Sequence, residues 1–144
     1  MILHRLSLIN YRNIAAADLE FSPKINCLIG RNGEGKTNVL DAIYYMSFCH
    51  SATSMLDALT VRHGEDYMVA VGGYEDEDGR KYEVSCGVKQ HKSKKFSLNK
   101  KAYKRLAEHI GLVPLVMVSP NDGELVTGGG EARRKFMDIV ISQY

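Results

Sequence analysis

The octapeptide Gly30 to Thr37, GRNGEGKT, constrains this chain more than any other stretch. It matches GxxxxGK[ST], a loop whose backbone N–H groups wrap phosphate oxygens while a lysine and a hydroxyl complete the site. Such a loop works only between a strand and a helix N-terminus. Ile25, Cys27, Leu28 and Ile29 make a short apolar run after Pro23, which predicts a strand covered on both faces. Beyond the loop, Val39, Leu40, Ile43, Tyr44 and Met46 recur at helical spacing, with Asp41 and Ser47 among the polar positions.

The residue types assign roles toward a bound nucleotide. Gly30, Gly33 and Gly35 let the backbone turn sharply and approach phosphate with no Cβ in the way. The helix starting near Lys36 points free N–H groups and its positive dipole end at the anion. Lys36 is expected to reach the β- and γ-phosphates, and Thr37 to supply a hydroxyl to Mg²⁺. The bland alternative, a glycine-rich turn capping a helix, explains neither Lys36 nor Thr37.

At 144 residues there is material for one domain with a core, and 44% hydrophobic with 25% charged residues is ordinary for a soluble globular protein. A net charge of +2 does not mark a nucleic-acid binder, so local clustering must carry that argument. Cys27, Cys49 and Cys86 show no CxxC pair and read as buried, reduced thiols. The N-terminus lacks a signal-peptide core and no apolar run is long enough to span a membrane, which predicts a cytoplasmic protein.

Ile2 to Ile9 alternates in part and reads as a first strand, interrupted by Asn10 to Asn13; Asp18 to Phe21 is a second, close enough to pair antiparallel. A weak stretch from His50 to Glu65 includes a possible short helix over Ser54 to Leu59. Asp66 to Tyr74 and Lys81 to Val88 read as a hairpin around EDEDG, whose contiguous carboxylates are expected to be solvated rather than to hold a metal. Lys89 to Arg105 is the most basic stretch, with Phe96 and Tyr103 interleaved and no carboxylate. It reads either as edge protection or as a phosphate-backbone contact. Arg105 to Gly111 suggests a short helix and Leu112 to Val118 a buried strand; Ser119 to Asp122 turn, TGGG at 127–130 is a hinge, and a helix starts at Glu131 with Phe136, Ile139 and Val140 on one face. That face still runs at Tyr144, which suggests a truncated chain. Asp122 comes too late for a simple strand-end acid, so the Mg²⁺-associated carboxylate is expected beyond residue 144 and hydrolysis is expected to be inefficient.

Several stretches together resemble one family. MILHRLSLINYRNI, then INCLIGRNGEGKTNVLDAIYYMSF, and later VSPNDGELVTGGGEARRKFMD are similar to the N-terminal part of the RecF family of bacterial recombination and repair ATPases, relatives of SMC-type heads. The resemblance implies an α/β P-loop NTPase of the ABC-ATPase head type: a mixed sheet with an antiparallel part, ending before the signature and Walker B motifs. It divides the chain into an ATP-binding lobe, residues 1–120, and the start of a helical lobe, residues 121–144. The ATP-binding residues it implies are Gly30, Arg31, Asn32, Gly33, Glu34, Gly35, Lys36, Thr37 and Asn38, with Asn32 toward the γ-phosphate and Arg12 beside base and phosphates. Arg133 and Arg134 match the family's paired arginines, whereas SATS at 51–54 lacks an arginine the family would place near there. The implied partners are ATP and Mg²⁺, duplex or gapped DNA with single-stranded DNA as a further form, a second copy in an ATP-dependent homodimer, RecR, and RecO as a further candidate. The implied role is recombinational repair, replication restart and the SOS response. Two other classes remain: a P-loop phosphotransferase, which would need an arginine-rich lid and an acceptor pocket, and a non-hydrolysing protein-interaction module.

Overall fold

A computed structural model describes residues 1–54, 56–90, 92 and 94–141. Its backbone is a six-stranded sheet in the order β2-β1-β3-β4-β5-β6, every neighbouring pair antiparallel. The strands are β1 (Ile2–Tyr11), β2 (Ile14–Glu20), β3 (Tyr67–Glu75), β4 (Lys81–Lys89), β5 (Lys95–Leu98) and β6 (Lys101–Ala102). The helices are α1 (Lys36–Phe48), a short α2 (Glu124–Thr127) and α3 (Gly130–Ile141). Short 3₁₀ turns lie at Asp57–Thr60, Leu106–Glu108 and Pro120–Gly123.

Period-two alternation builds the core, because successive strand side chains point to opposite faces. Leu6 and Leu8 of β1, Met68 and Ala70 of β3, Val84, Cys86 and Val88 of β4 and Phe96 of β5 share the buried face, and α1 lays Ala42, Tyr45 and Met46 against it. On the opposite face Asp18 accepts from Arg5 Nε at 2.8 Å and Ser7 Oγ at 2.8 Å, and those bonds hold its carboxyl at about 2. The EDEDG turn is locally satisfied: Asp76 accepts from the N–H groups of Asp78 and Arg80 and from Tyr82 Oη. The β5–β6 turn places Asn99 (φ 48°) and Lys100 (φ 67°) in the left-handed region, the geometry of a type I′ hairpin, which favours Asn-Gly.

Two predicted buried strands are corrected. Residues 25–29 are not in a strand, and Ile25 and Ile29 are each 89% exposed. Residues 112–118 are likewise not in a strand, with Val116 and Val118 about 80% exposed although Val113 is buried. A strand covered on both faces needs two ladder neighbours and two packing layers. The described residues supply neither for these runs, and Cys27 is therefore exposed rather than buried. Asp41 and Ser47, read as ordinary polar helix positions, are buried, while Leu40 is half exposed. Asp122 accepts from Ser119 N–H and caps its own turn. Arg133 donates to the carbonyls of Leu125 and Gly128, closing the TGGG hinge over the start of α3. Tyr144, where the apolar face was read as still running, lies outside the described residues, as do Met55, His91 and Ser93.

The end of α1 is tied down by side chains from distant segments. Lys94 Nζ donates to Cys49 O at 2.6 Å and pairs with Asp57, which also accepts from Tyr45 Oη. His109, fully buried between Phe96 and Tyr103, meets Met46 O through Nε2 at 2.6 Å and Tyr103 Oη through Nδ1 at 3.2 Å. Burial lowers the His109 pKa, against the raising effect of the bond to Met46 O. The unfolded chain thus takes up a proton near the ordinary value of 6.5 before the folded one does. Stability is complete above that value and is lost as the pH falls toward the lowered folded one. Thermal unfolding followed from about pH 7.5 to about 5, an interval that spans that value, should show a decline that His109→Gln, whose amide can still donate to Met46 O, reduces; an equal decline in both would contradict this linkage.

Candidate nucleotide-binding site

The loop between residue 29 and α1 is shaped by its glycines. Gly33 (φ 86°) and Gly35 (φ 97°) lie in the left-handed region, and Gly35 forms the N-cap of α1. A Cβ at Gly35 would sit 2.9 Å from Asn13 Oδ1, so a side chain there would push the Asn13 amide aside as well as strain the backbone. Lys36 Nζ folds back over the loop and donates to Gly30 O and Arg31 O, both at 2.7 Å. Its ammonium therefore stands over the loop's hollow. Glu34 closes the other side, its carboxylate accepting Arg31 N–H at 2.8 Å. No acidic residue occupies the first turn of α1, so its dipole is left uncompensated there, an attraction for an anion of about 0.3–1 kcal/mol. Thr37 and Asn32 are exposed on the loop side.

Asn13 braces this loop. Its Nδ2 donates to Gly33 O and its Oδ1 accepts from Asn38 Nδ2, both at 2.7 Å, so one side chain spans the loop and the first turn of α1. Sequence reading saw Asn13 only as part of an interruption. The available signal was its place in a tight turn between two short strands, a position where a side-chain amide reaches backbone groups.

Arg12 does not point freely at the loop. Its Nε donates to Asp41 Oδ2 at 2.8 Å, and its Nη2 donates to Ser51 Oγ and Thr53 Oγ1 at 2.7 and 2.6 Å. Asp41 is 1% exposed and also accepts from Tyr11 Oη, Ser51 Oγ and Ala52 N–H. Burial first, then the neighbouring Asp41 charge, raises the Tyr11 pKa and keeps the phenol a donor. The SATS segment thus contributes hydroxyls that hold Arg12. A groove of about 920 Å³ opens from Arg12, Asn13 and Asn38 toward Val61, His63 and Glu65. Among the described residues no group of His, Cys, Asp and Glu has the arrangement of a metal site, and no helix is long and apolar enough to cross a membrane.

A glycine-shaped anion loop opening a helix, flanked by an antiparallel sheet that delivers Arg12 and Asn13 to its side, defines part of an ABC-type ATPase head. The chain belongs to the family described as the RecF/RecN/SMC N-terminal domain, which matches residues 2–122. It is 57% identical over all 144 residues to the DNA replication and repair protein RecF of Phocaeicola vulgatus, covering 39% of that relative. A solved structure described as the recombination mediator RecF with ATP in the RecFOR pathway superposes with a TM-score of 0.90 at 30% identity, over 98% of this chain and 39% of that one. An SMC ATPase structure shares the fold, with a TM-score of 0.79 at 16% identity over 97% of this chain and 99% of that one. The chain thus spans about 39% of the length of the RecF relatives it matches.

Removing Asp41 would leave the Arg12 guanidinium, Tyr11 Oη and Ala52 N–H without their shared acceptor. Asp41→Ala should lower unfolding free energy by about 3 kcal/mol, measured by urea denaturation. A loss under about 1 kcal/mol would show that the network is not holding the fold.

Proposed function

We propose that this chain is the ATP-binding part of a RecF-like DNA repair protein. The observation that carries the reading is the loop itself: Lys36 held over Gly30 O and Arg31 O, two left-handed glycines, and an uncompensated helix N-terminus. These groups fit a triphosphate. Backbone N–H groups from Gly33 to Asn38 and the Lys36 ammonium would take its anionic oxygens, and Arg12 and Asn13 border the groove in which the nucleoside would lie. Thr37 would offer a hydroxyl to Mg²⁺, whose remaining ligands would be phosphate oxygens and water, the usual arrangement for this ion. Asn32, exposed at the loop, would face the γ-phosphate.

In this reading residues 1–120 form the nucleotide-binding lobe and residues 121–144 begin a helical one. ATP acts as a switch: it binds more tightly to a closed homodimer than to separate subunits, and that difference drives closure on duplex or gapped DNA. The RecF relative solved with ATP in the RecFOR pathway supports ATP as ligand and RecR and RecO as partners. The relatives' role in replication and repair supports recombinational repair, replication restart and the SOS response as the setting, in the cytoplasm.

Calorimetry with ATP and Mg²⁺ tests the reading on this chain, on Lys36→Ala and Asn13→Ala variants, and on a chain extended past Tyr144 to the relatives' length. Binding by the parent and extended chains, lost in Lys36→Ala and weakened about tenfold in Asn13→Ala (about 1.4 kcal/mol), is the expected result. Binding indifferent to Lys36, or none even in the extended chain, would remove ATP from the account.

A further inference from the structure

We infer that the β5–β6 edge is the surface on which this chain takes the phosphate backbone of duplex DNA, an assignment that rests on the proposed function for DNA as partner and on nothing in the nucleotide loop. The stretch from Lys89 to Arg105 carries eight cations and no carboxylate. The fold sorts them. Lys94 is drawn inward to Asp57 and Cys49 O and serves the core. Lys89, Lys92, Lys95, Lys100, Lys101 and Lys104 stay exposed, as does Arg105, and none forms an ion pair with a described residue.

Strand register sets these charges around the edge, on both of its faces. Lys95 pairs with Gly87, so Lys89, two residues further along β4, is its diagonal neighbour on the same face, at about 7–8 Å. Lys101 pairs with Leu98 and so stands on the core side of the edge, with the turn between them presenting Lys100. Edge protection alone would require a lysine or two on the outermost strand. Here Lys89 lies on an inner strand, Lys92 in a loop, Lys100 in a turn, and Lys104 and Arg105 beyond β6. Across the sheet, β2 carries Asp18 and Glu20 on the opposite edge, while the basic side includes the exposed carboxylates of Glu83 beside Asn99 and Glu108 after Arg105, outnumbered by the cations around them.

The turn adds an independent observation. Lys100 adopts φ 67° at the second centre of a type I′ turn, where glycine is the residue without strain. Asn99 anchors that turn, accepting Glu83 N–H through Oδ1 and donating its own N–H to Glu83 O, both at 2.8 Å. A cation is thus held at the tip in a conformation its Cβ opposes, and strain of this kind gathers at functional positions. The aromatic residues decide between nucleic acid and protein. Protein interfaces are anchored by exposed aromatics, but Phe96 is buried and Tyr103 half-buried against His109. What faces outward is a rim of point charges, which suits phosphates and reads no base sequence.

The test is anisotropy of a labelled mixed-sequence duplex without nucleotide, so that a failure of ATP binding leaves the readout untouched. Salt is varied between about 50 and 200 mM for the parent chain and for Lys100→Gly, Lys101→Gln, Lys104→Gln combined. The slope of log K against log salt should shrink by about 2.7, from about 0.9 per lost phosphate contact. Affinity should fall at least about tenfold, while Lys24→Gln beyond the other edge changes neither. Lys100→Gly alone should raise the unfolding temperature yet weaken DNA binding, a pairing that a purely structural turn would not produce. An unchanged slope in the combined variant, no duplex binding by the parent at the lowest salt, or polyglutamate bound as tightly as the duplex would overturn the assignment.

Discussion

The carboxylate of Asp41 is the interaction on which the rest depends. A charge with 1% exposure has lost its water, at a cost of several kcal/mol, and persists only because donors replace it. Those donors come from two places in the chain, Tyr11 and Arg12 at the end of β1 and Ser51 and Ala52 in the turn after α1, and they converge on the carboxylate that α1 carries. Once Arg12 is pinned there, its neighbour Asn13 stands within reach of Gly33 O and Asn38. The shape of the anion loop is thus set from the sheet as well as from its own glycines. A buried ion pair contributes little net stability by itself, and here its value is in fixing the relative placement of β1, α1 and the loop.

Much of this was legible in the residues. GRNGEGKT, with a helical period after it, identified loop and helix, because the chemistry needs Gly, Lys and Thr at those spacings. Alternation over Ile2 to Ile9, and the Asp-Gly turn signal between Asp66 to Tyr74 and Lys81 to Val88, identified antiparallel strands. The apolar runs at residues 25–29 and 112–118 misled for a physical reason: an apolar run states a demand for burial but does not say what supplies it. Among the described residues nothing covers Ile25, Ile29, Val116 or Val118, in a chain that spans 39% of its relatives' length. Asp41 and Ser47 were invisible as core positions because periodicity has no information about partners tens of residues away. Ser47 Oγ donates to Val113 O, and Asp41 meets Tyr11 across the core. Arg12 was singled out on resemblance, and its partner was not.

The sheet gives the site a fixed frame with different chemistry at each margin. The β1–β2 end delivers Asn13 to the phosphate loop and Arg12 to Asp41, while the β5–β6 end carries cations over a core sealed by Phe96 and His109. Between them α1 runs from the loop at Gly35 to a C-terminus held by Lys94 and His109. Loop, helix and basic edge are therefore joined in one packed unit by side chains that touch.

The central claim is that the loop is braced in an anion-receptive shape by Asn13 and the Asp41 network. Backbone amide shifts in ¹⁵N–¹H spectra, recorded as ATP with Mg²⁺ is added, test it most directly. The account predicts large shifts at the N–H groups from Gly33 to Asn38 and at Arg12 and Asn13, with the β5–β6 hairpin unmoved. Shifts centred elsewhere, or spread through the core as the loop refolds around the nucleotide, would contradict it.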